Sequence, residues 1–276
     1  MPSYKLLISY DGTEFGGWQI QPNAPSIQEE IEKALAIFCR EEVRITGSGR
    51  TDSGVHALGQ VAHFKIEKTL SQRDLLSLNA LLPDSIYLRE IQPVSDDFHA
   101  RKSAVSKIYS YHIFLGKNPG PFIKRYVSDI WDPLDLDLLK KGARIFIGEH
   151  DFASFANACK TRIGKSSIRT IYNLEVEEKG SHITLTFKGN GFLYKMVRNL
   201  TGALLLLSSG KLSLDELKVL MDQKKRTRTI SPAPAKGLFL EKVIYEEDSQ
   251  ASESERKLES DGDQIAPFLR LKSLSS

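Results

Sequence analysis

Cysteine is nearly missing from this chain: Cys39 and Cys159 are the only two among 276 residues. Two thiols are too few for a disulfide framework, and such usage fits a reducing cytoplasm. Long apolar runs are missing as well. No stretch approaches the ~18 residues of a membrane span, and the N-terminus carries no signal-peptide pattern. A cytoplasmic protein with no membrane partner is therefore expected. A dominant charge is also lacking, since 38 Lys and Arg face 35 Asp and Glu for a net charge of +3. That balance conceals an asymmetry: residues 246 to 276 hold eight acidic and four basic side chains, which leaves the preceding body at +7. A moderately basic body suits a polyanionic partner, although many proteins with no nucleic-acid role are as basic.

The phosphate cradle G-x-x-x-x-G-K is absent, and no zinc-ligand spacing appears. What the chain does have is the loop Gly47-Ser48-Gly49-Arg50-Thr51-Asp52-Ser53-Gly54-Val55-His56-Ala57-Leu58-Gly59, followed by the strand-like Val61-Ala62-His63-Phe64. Four glycines in thirteen residues cost folding entropy, which is accepted where backbone must take positive φ or approach something closely. A loop of this kind that displays one arginine and one carboxylate is a candidate for chemistry rather than a passive turn. A carboxylate facing phosphates would be repelled, so Asp52 reads as a nucleophile or a general base. Arg50 has the planar, permanently charged fork suited to phosphates or base edges. Asp52, His56 and His63 raise a metal site, but no third ligand is clearly placed. The two histidines read as structural, and no cofactor is expected.

A coarse reading divides residues 1–105 and 106–245 into two halves, each running strand, helix, strand. In the first, Tyr4–Tyr10 is a strand, and Ser26 with Glu29 forms a capping box opening a helix to about Arg40. A strand Val61–Ile66, a helix near Gln72–Leu81 and a strand Ile86–Ile91 follow. In the second, the spacing predicts a strand Tyr109–Phe114 and a helix Leu136–Ile147. A strand pair Ile168–Glu178 and His182–Lys188 comes next, then helices Phe192–Leu207 and Leu214–Gln223 and a closing strand Val243–Tyr245. This order predicts an α+β fold of two split-βαβ-like halves sharing an antiparallel-dominated sheet. Residues 246–276 are rich in Ser, Glu and Asp and read as a disordered tail, unless the apolar Ile265–Leu271 docks somewhere.

The loop GSGRTDSGVHALGQVAHF resembles the catalytic motif of the TruA family of tRNA pseudouridine synthases, whose core is GRTDxGVHA. The opening Tyr10-Asp11-Gly12-Thr13-Glu14-Phe15-Gly16-Gly17-Trp18-Gln19 is similar to the family's YDGxxFxGWQ. Asn79-Ala80-Leu81-Leu82-Pro83, Phe98-His99-Ala100-Arg101, Lys107-Ile108-Tyr109-Ser110-Tyr111, Gly148-Glu149-His150-Asp151-Phe152 and Met196-Val197-Arg198-Asn199 recur in order. The resemblance spans roughly residues 3 to 245. It implies two halves related by a pseudo-twofold with a central cleft, a homodimer, and conversion of uridine to pseudouridine at positions 38 to 40 of the tRNA anticodon arm. The target base would be flipped out of its stack.

By the same resemblance Asp52 matches the essential catalytic aspartate, and Arg50 the residue that helps extrude and replace the flipped base. Tyr109 matches the tyrosine packed against that base, although a lone strand tyrosine is more often core; Tyr111 reads as the core member. Arg198 matches the basic partner of the catalytic carboxylate, its alternative being a helix-surface arginine. Leu193 and Phe192 resemble an apolar wall of the uracil pocket. Candidates for phosphate contact are Arg101, Lys102 and Lys107, then Lys160, Arg162, Lys165 and Arg169, and the run Lys224–Arg228. Two rivals stand beside this reading: an RNA-binding protein whose aspartate is idle, and a synthase acting on another RNA or another uridine.

Overall fold

The structure, a computed structural model, describes residues 1–158, 166–226 and 229–246. All of the expected tail except Glu246 lies outside the described residues. Two compact units emerge, one of Met1–Tyr109 with Leu238–Val243, the other of Ser110–Gly237 with the segment from Ile244. No helix of the described residues is long and apolar enough to cross a membrane.

The first unit is a sheet in the order β4 (Ile86–Val94), β1 (Ser3–Tyr10), β3 (His56–Lys65), β10 (Leu238–Tyr245), with the short β2 (Thr46–Gly47) paired to β3. β1 pairs antiparallel with both β3 and β4, whereas β10 runs parallel to β3 at Phe239–His56. Tyr4, Leu6, Ile8 and Tyr10 alternate along β1 and are all buried, as a period-two strand packed against a helix requires. The covering helix α1 (Ile27–Cys39) buries Ile27, Ile31, Ala34 and Leu35 on one stripe. Ser26 caps it by accepting from the Glu29 amide at 3.3 Å, while the Glu29 carboxylate meets Lys33 at 3.0 Å. The chain leaves the helix at Arg40, which adopts left-handed backbone with φ 59°.

The helix expected over Gln72–Leu81 is shorter and split: a 3-10 turn, Gln72–Asp74, runs into α2 (Leu75–Asn79). Asn79 explains where it stops. Its side-chain amide donates to the Leu88 carbonyl at 2.9 Å and its oxygen accepts from the Leu88 amide at 2.8 Å. Asn79 thereby pairs with β4 as a strand residue would, tying the helix end to the sheet.

β5 (Ala104–Leu115) contributes Ala104–Tyr109 to the first unit and its remainder to the second. The second unit orders β5, β9 (His182–Gly189), β8 (Ile168–Lys179) and β7 (Gly148–Asp151), and β6 (Ser128–Ile130) runs parallel to β5. β8 and β9 form a hairpin turned at Gly180, φ 60°. Three helices pack with it: α3 (Leu136–Ile145), α4 (Met196–Ser208) and α5 (Leu214–Asp222). A Cβ on Gly142 of α3 would lie 2.2 Å from Leu207 of α4, so this glycine sets the close approach of the two helices. α4 begins at Met196 rather than at Phe192, because Lys195 sits in left-handed backbone, φ 59°, which an α-helix cannot include. Each unit is thus α+β, and its strand pairs are mostly antiparallel.

Candidate active site

The glycine-rich loop is held in the first unit by the other motif near the N-terminus. Gly47 lies flat under the Trp18 indole, where a Cβ would come within 2.6 Å of the ring. Gly17 bridges to Asp52, and the Trp18 amide donates to the Thr51 carbonyl at 3.1 Å. Ser53 Oγ donates to the Phe15 carbonyl at 3.0 Å, and the Val55 amide closes the turn onto the Asp52 carbonyl at 3.1 Å. Gly12 passes so near the Val55 carbonyl that a Cβ would sit 2.0 Å from its oxygen. His56 is buried beneath this contact. Its Nδ1 lies 3.2 Å from the Gly12 amide and 3.1 Å from Asp11 Oδ1, and its ring stacks on Phe239 at 4.6 Å. FGGWQ and GRTDSG are therefore two halves of one backbone clasp.

A buried polar chain supports the loop from below. Ser48 is fully buried; its amide donates to the Val61 carbonyl at 2.7 Å and its hydroxyl to Gln60 Oε1 at 2.7 Å. Gln60 Nε2 returns to the Gly49 carbonyl at 3.0 Å. The Tyr10 hydroxyl meets Thr51 Oγ1 at 2.8 Å and also the Gln60 side chain. These bonds grip the loop on both sides of Arg50, whose own side chain is exposed.

Asp52 is half-buried, and it shares its surroundings with the buried Tyr109 of β5. Burial first, then the neighbouring Tyr10 and the Asp52 charge, push the Tyr109 phenol above its ordinary range. The phenol thus stays protonated at neutral pH, a proton donor beside a carboxylate. Tyr111, two residues on along the same strand face, is fully buried and donates to the Pro234 carbonyl at 2.9 Å, as a core tyrosine does.

Arg198 belongs to the second unit, on the first turn of α4. Its Nε donates to the Ala233 carbonyl at 2.7 Å, and the Ala233 amide donates back to the Arg198 carbonyl at 2.9 Å. Gly202 permits this docking, since a Cβ there would lie 2.1 Å from the Ser231 carbonyl oxygen. Leu193 is buried and Phe192 half-buried in the turn before α4.

Among the basic candidates, Arg101, Lys102, Lys224 and Lys225 are exposed, and Arg169 is half-buried. Lys160, Arg162, Lys165 and Arg228 lie outside the described residues. Lys107 differs from all of these: its ammonium turns inward and donates to the Ser48 carbonyl at 2.5 Å.

Residues 6–101 and 143–246 match the family model described as tRNA pseudouridine synthase. The chain belongs to that family. It is 45% identical over 252 residues to tRNA pseudouridine synthase A 1 of Protochlamydia amoebophila, covering 90% of this chain and 98% of that protein. Similarity to tRNA pseudouridine synthase A of Chlamydia pneumoniae is 43% over 249 residues, 89% of this chain and 92% of the other. The Bacillus subtilis tRNA pseudouridine synthase A is 41% identical over 245 residues, 88% and 98% of the respective chains. The synthase is accordingly an isomerase. Arg50, Asp52 and Arg198 fall inside the two matched spans, whereas Lys107 and Tyr109 fall between them.

Sequence reasoning missed Tyr10, Thr51 and Gln60 as loop supports, and it placed Lys107 among the candidates for phosphate contact without its bond to Ser48. One signal was available for Lys107. It stands two residues before Tyr109 and four before Tyr111, on their face of β5.

Proposed function

We propose that this synthase converts uridine to pseudouridine at positions 38 to 40 of the tRNA anticodon arm, with Asp52 as its catalytic carboxylate. The observation that carries this reading is the half-buried Asp52 held on a clasped loop beside the protonated phenol of Tyr109. In the reaction the uracil N1–C1′ bond breaks, the base turns, and C5 bonds to C1′; the C5 proton passes to solvent and N1 takes up a proton in its place. The product is an isomer of the substrate, so the balance requires neither oxidant nor co-substrate. A carboxylate serves it by adding to the sugar, by adding to the pyrimidine ring, or by removing a ribose proton.

The target uridine is stacked in its arm and must be flipped out, at a cost of a few kcal/mol. Exposed Arg50, two residues from Asp52, suits the place left by the base, since a guanidinium plane stacks as a base does. The Tyr109 ring offers a stacking face, worth ~1–3 kcal/mol per base. Arg198 is proposed as the basic partner of the catalytic carboxylate, a role resting on its place in the Met196–Asn199 motif. The resemblance to the family further supports a cytoplasmic homodimer.

Two experiments test the reading. Asp52→Ala should abolish pseudouridine while tRNA binding persists; product from this variant would leave the aspartate idle. Mapping pseudouridines in RNA from cells lacking the gene should show the loss of positions 38 to 40 in tRNA. Loss elsewhere would assign the synthase to another uridine.

A further inference from the structure

We propose that Lys107 is a positioning residue of the catalytic loop: its ammonium holds the Ser48 carbonyl and so sets the loop bearing Arg50 and Asp52 against Tyr109. The inference rests on Asp52 being the catalytic carboxylate. It starts from Ser48, which is fully buried and has its amide, hydroxyl and carbonyl each engaged, by Val61, Gln60 and Lys107. Two of these partners lie on β3. Lys107 alone brings a bond from β5, the strand that carries Tyr109.

Strand geometry makes that bond a spacer. Residues two apart on one strand point to the same face, ~6.6–6.8 Å from each other. Fixing the Lys107 head to Ser48 therefore fixes how far the loop stands from the Tyr109 phenol. Charge-assisted bonds are short and roughly twice as strong as neutral ones, and this one measures 2.5 Å. The site does not otherwise favour a cation. The residue is half-buried overall, but its charged end is enclosed, and this desolvation, followed by the nearby Arg101 charge, pulls its pKa down to about 8. An ammonium kept there against its solvation is more useful to the loop than to RNA phosphates, which an enclosed head reaches poorly.

Gly49 supplies an independent handle. A Cβ at this position would lie 2.8 Å from Lys107 Nζ and meets nothing else within 4 Å. Gly49→Ala therefore presses on the ammonium alone, and a flexible side chain can yield without unfolding the protein.

The test compares Lys107→Met, Lys107→Arg, Gly49→Ala and the double variant Gly49→Ala/Lys107→Met, with Asp52→Asn as reference. Pseudouridine formation is followed by tritium release from tRNA transcripts carrying [5-3H]uridine. Lys107→Met should lower kcat on the order of ten- to a hundredfold, the range expected when reacting groups are displaced by up to an ångström. KM and tRNA affinity should stay within about twofold, because only positioning is lost. Lys107→Arg, which keeps a charged donor, should recover part of kcat. Gly49→Ala should lower kcat with an unchanged melting temperature, and the double variant should be no worse than Lys107→Met alone.

Unchanged kcat in Lys107→Met overturns the proposal. So does a rise in KM with kcat intact and a shallower salt dependence of binding, which would make Lys107 a phosphate ligand. Independent, multiplying losses in the double variant also overturn it. If Lys107→Met does not fold, Gly49→Ala decides in the same way. Activity in Asp52→Asn would instead remove the underlying reading of the site, whatever the lysine variants do.

Discussion

Gly17→Ala is the substitution in which the structure makes the largest demand on a single methyl group. Gly17 has φ 112°, a region that side-chain-bearing residues rarely enter. Holding alanine there costs about 1–3 kcal/mol in backbone strain. Its Cβ would also lie 2.6 Å from the Thr51 carbonyl oxygen and 3.1 Å from the Ser53 amide nitrogen. Ordinary contact begins near 3.4 Å, so the Thr51 carbonyl must retreat by about 0.8 Å. Both neighbours are backbone, and no rotamer change relieves them. That retreat weakens the bond from the Trp18 amide to Thr51, at a further ~0.5–1.5 kcal/mol. The sum is about 2–4 kcal/mol, which at this chain length lowers the melting temperature by about 5–15 °C. The functional effect is larger. Gly17 bridges directly to Asp52, the proposed catalytic carboxylate, and displacing such a group by nearly an ångström costs on the order of a hundredfold in rate. Thermal denaturation followed by circular dichroism and single-turnover tritium release from labelled tRNA measure the two effects separately. A variant melting within a degree of the parent, with its turnover intact, would refute the clasp.

Three further outcomes are expected. Tyr109→Phe keeps the ring and removes the hydroxyl, so single-turnover rates should fall by at least ~tenfold while tRNA affinity holds; a rate equal to the parent's confines Tyr109 to stacking. Burial is the largest cause raising the phenols of Tyr10, Tyr109 and Tyr111, so each stays protonated in the folded chain above the unfolded value near 10. Their stabilising effect is fully present below pH ~10 and is lost as pH rises, by up to ~1.4 kcal/mol per unit for each phenol. Urea midpoints that stay flat between pH ~10.5 and ~12 would contradict this. Arg198→Met should lower turnover, and Arg198→Lys, which keeps the cation, should retain a measurable fraction of it. Turnover equal to the parent's in Arg198→Met would remove Arg198 from the proposed site.

The elements with strong periodicity are legible in the amino-acid sequence alone: β1, α1, the β8–β9 hairpin and α5 appear within a residue or two of where spacing places them. What stays hidden depends on contacts between distant residues. α2 stops where Asn79 meets the Leu88 backbone, and no local propensity encodes a side chain acting as a strand partner. α4 starts late because Lys195 takes left-handed backbone, while the apolar run from Phe192 onward carries helical spacing on both sides of that break. β7 escapes detection for a related reason, since Gly148–Asp151 is short and polar and gains its strand character from pairing with β8.

The candidate site divides along the same line. Asp52 and Arg50 stand out because glycine flanks them, and glycine marks backbone constraint that a sequence displays openly. The residues that hold them do not stand out, because Tyr10, Thr51, Gln60 and Lys107 come from three separate segments and meet only through side-chain bonds. A lysine read singly is a solvated cation, and the face it shares with Tyr109 becomes meaningful only when that face is seen to touch Ser48. Motif recognition therefore finds the groups proposed to meet the substrate earlier than the groups that hold their loop in place. In this synthase the second set occupies the positions where one added or removed donor should change kcat without changing binding.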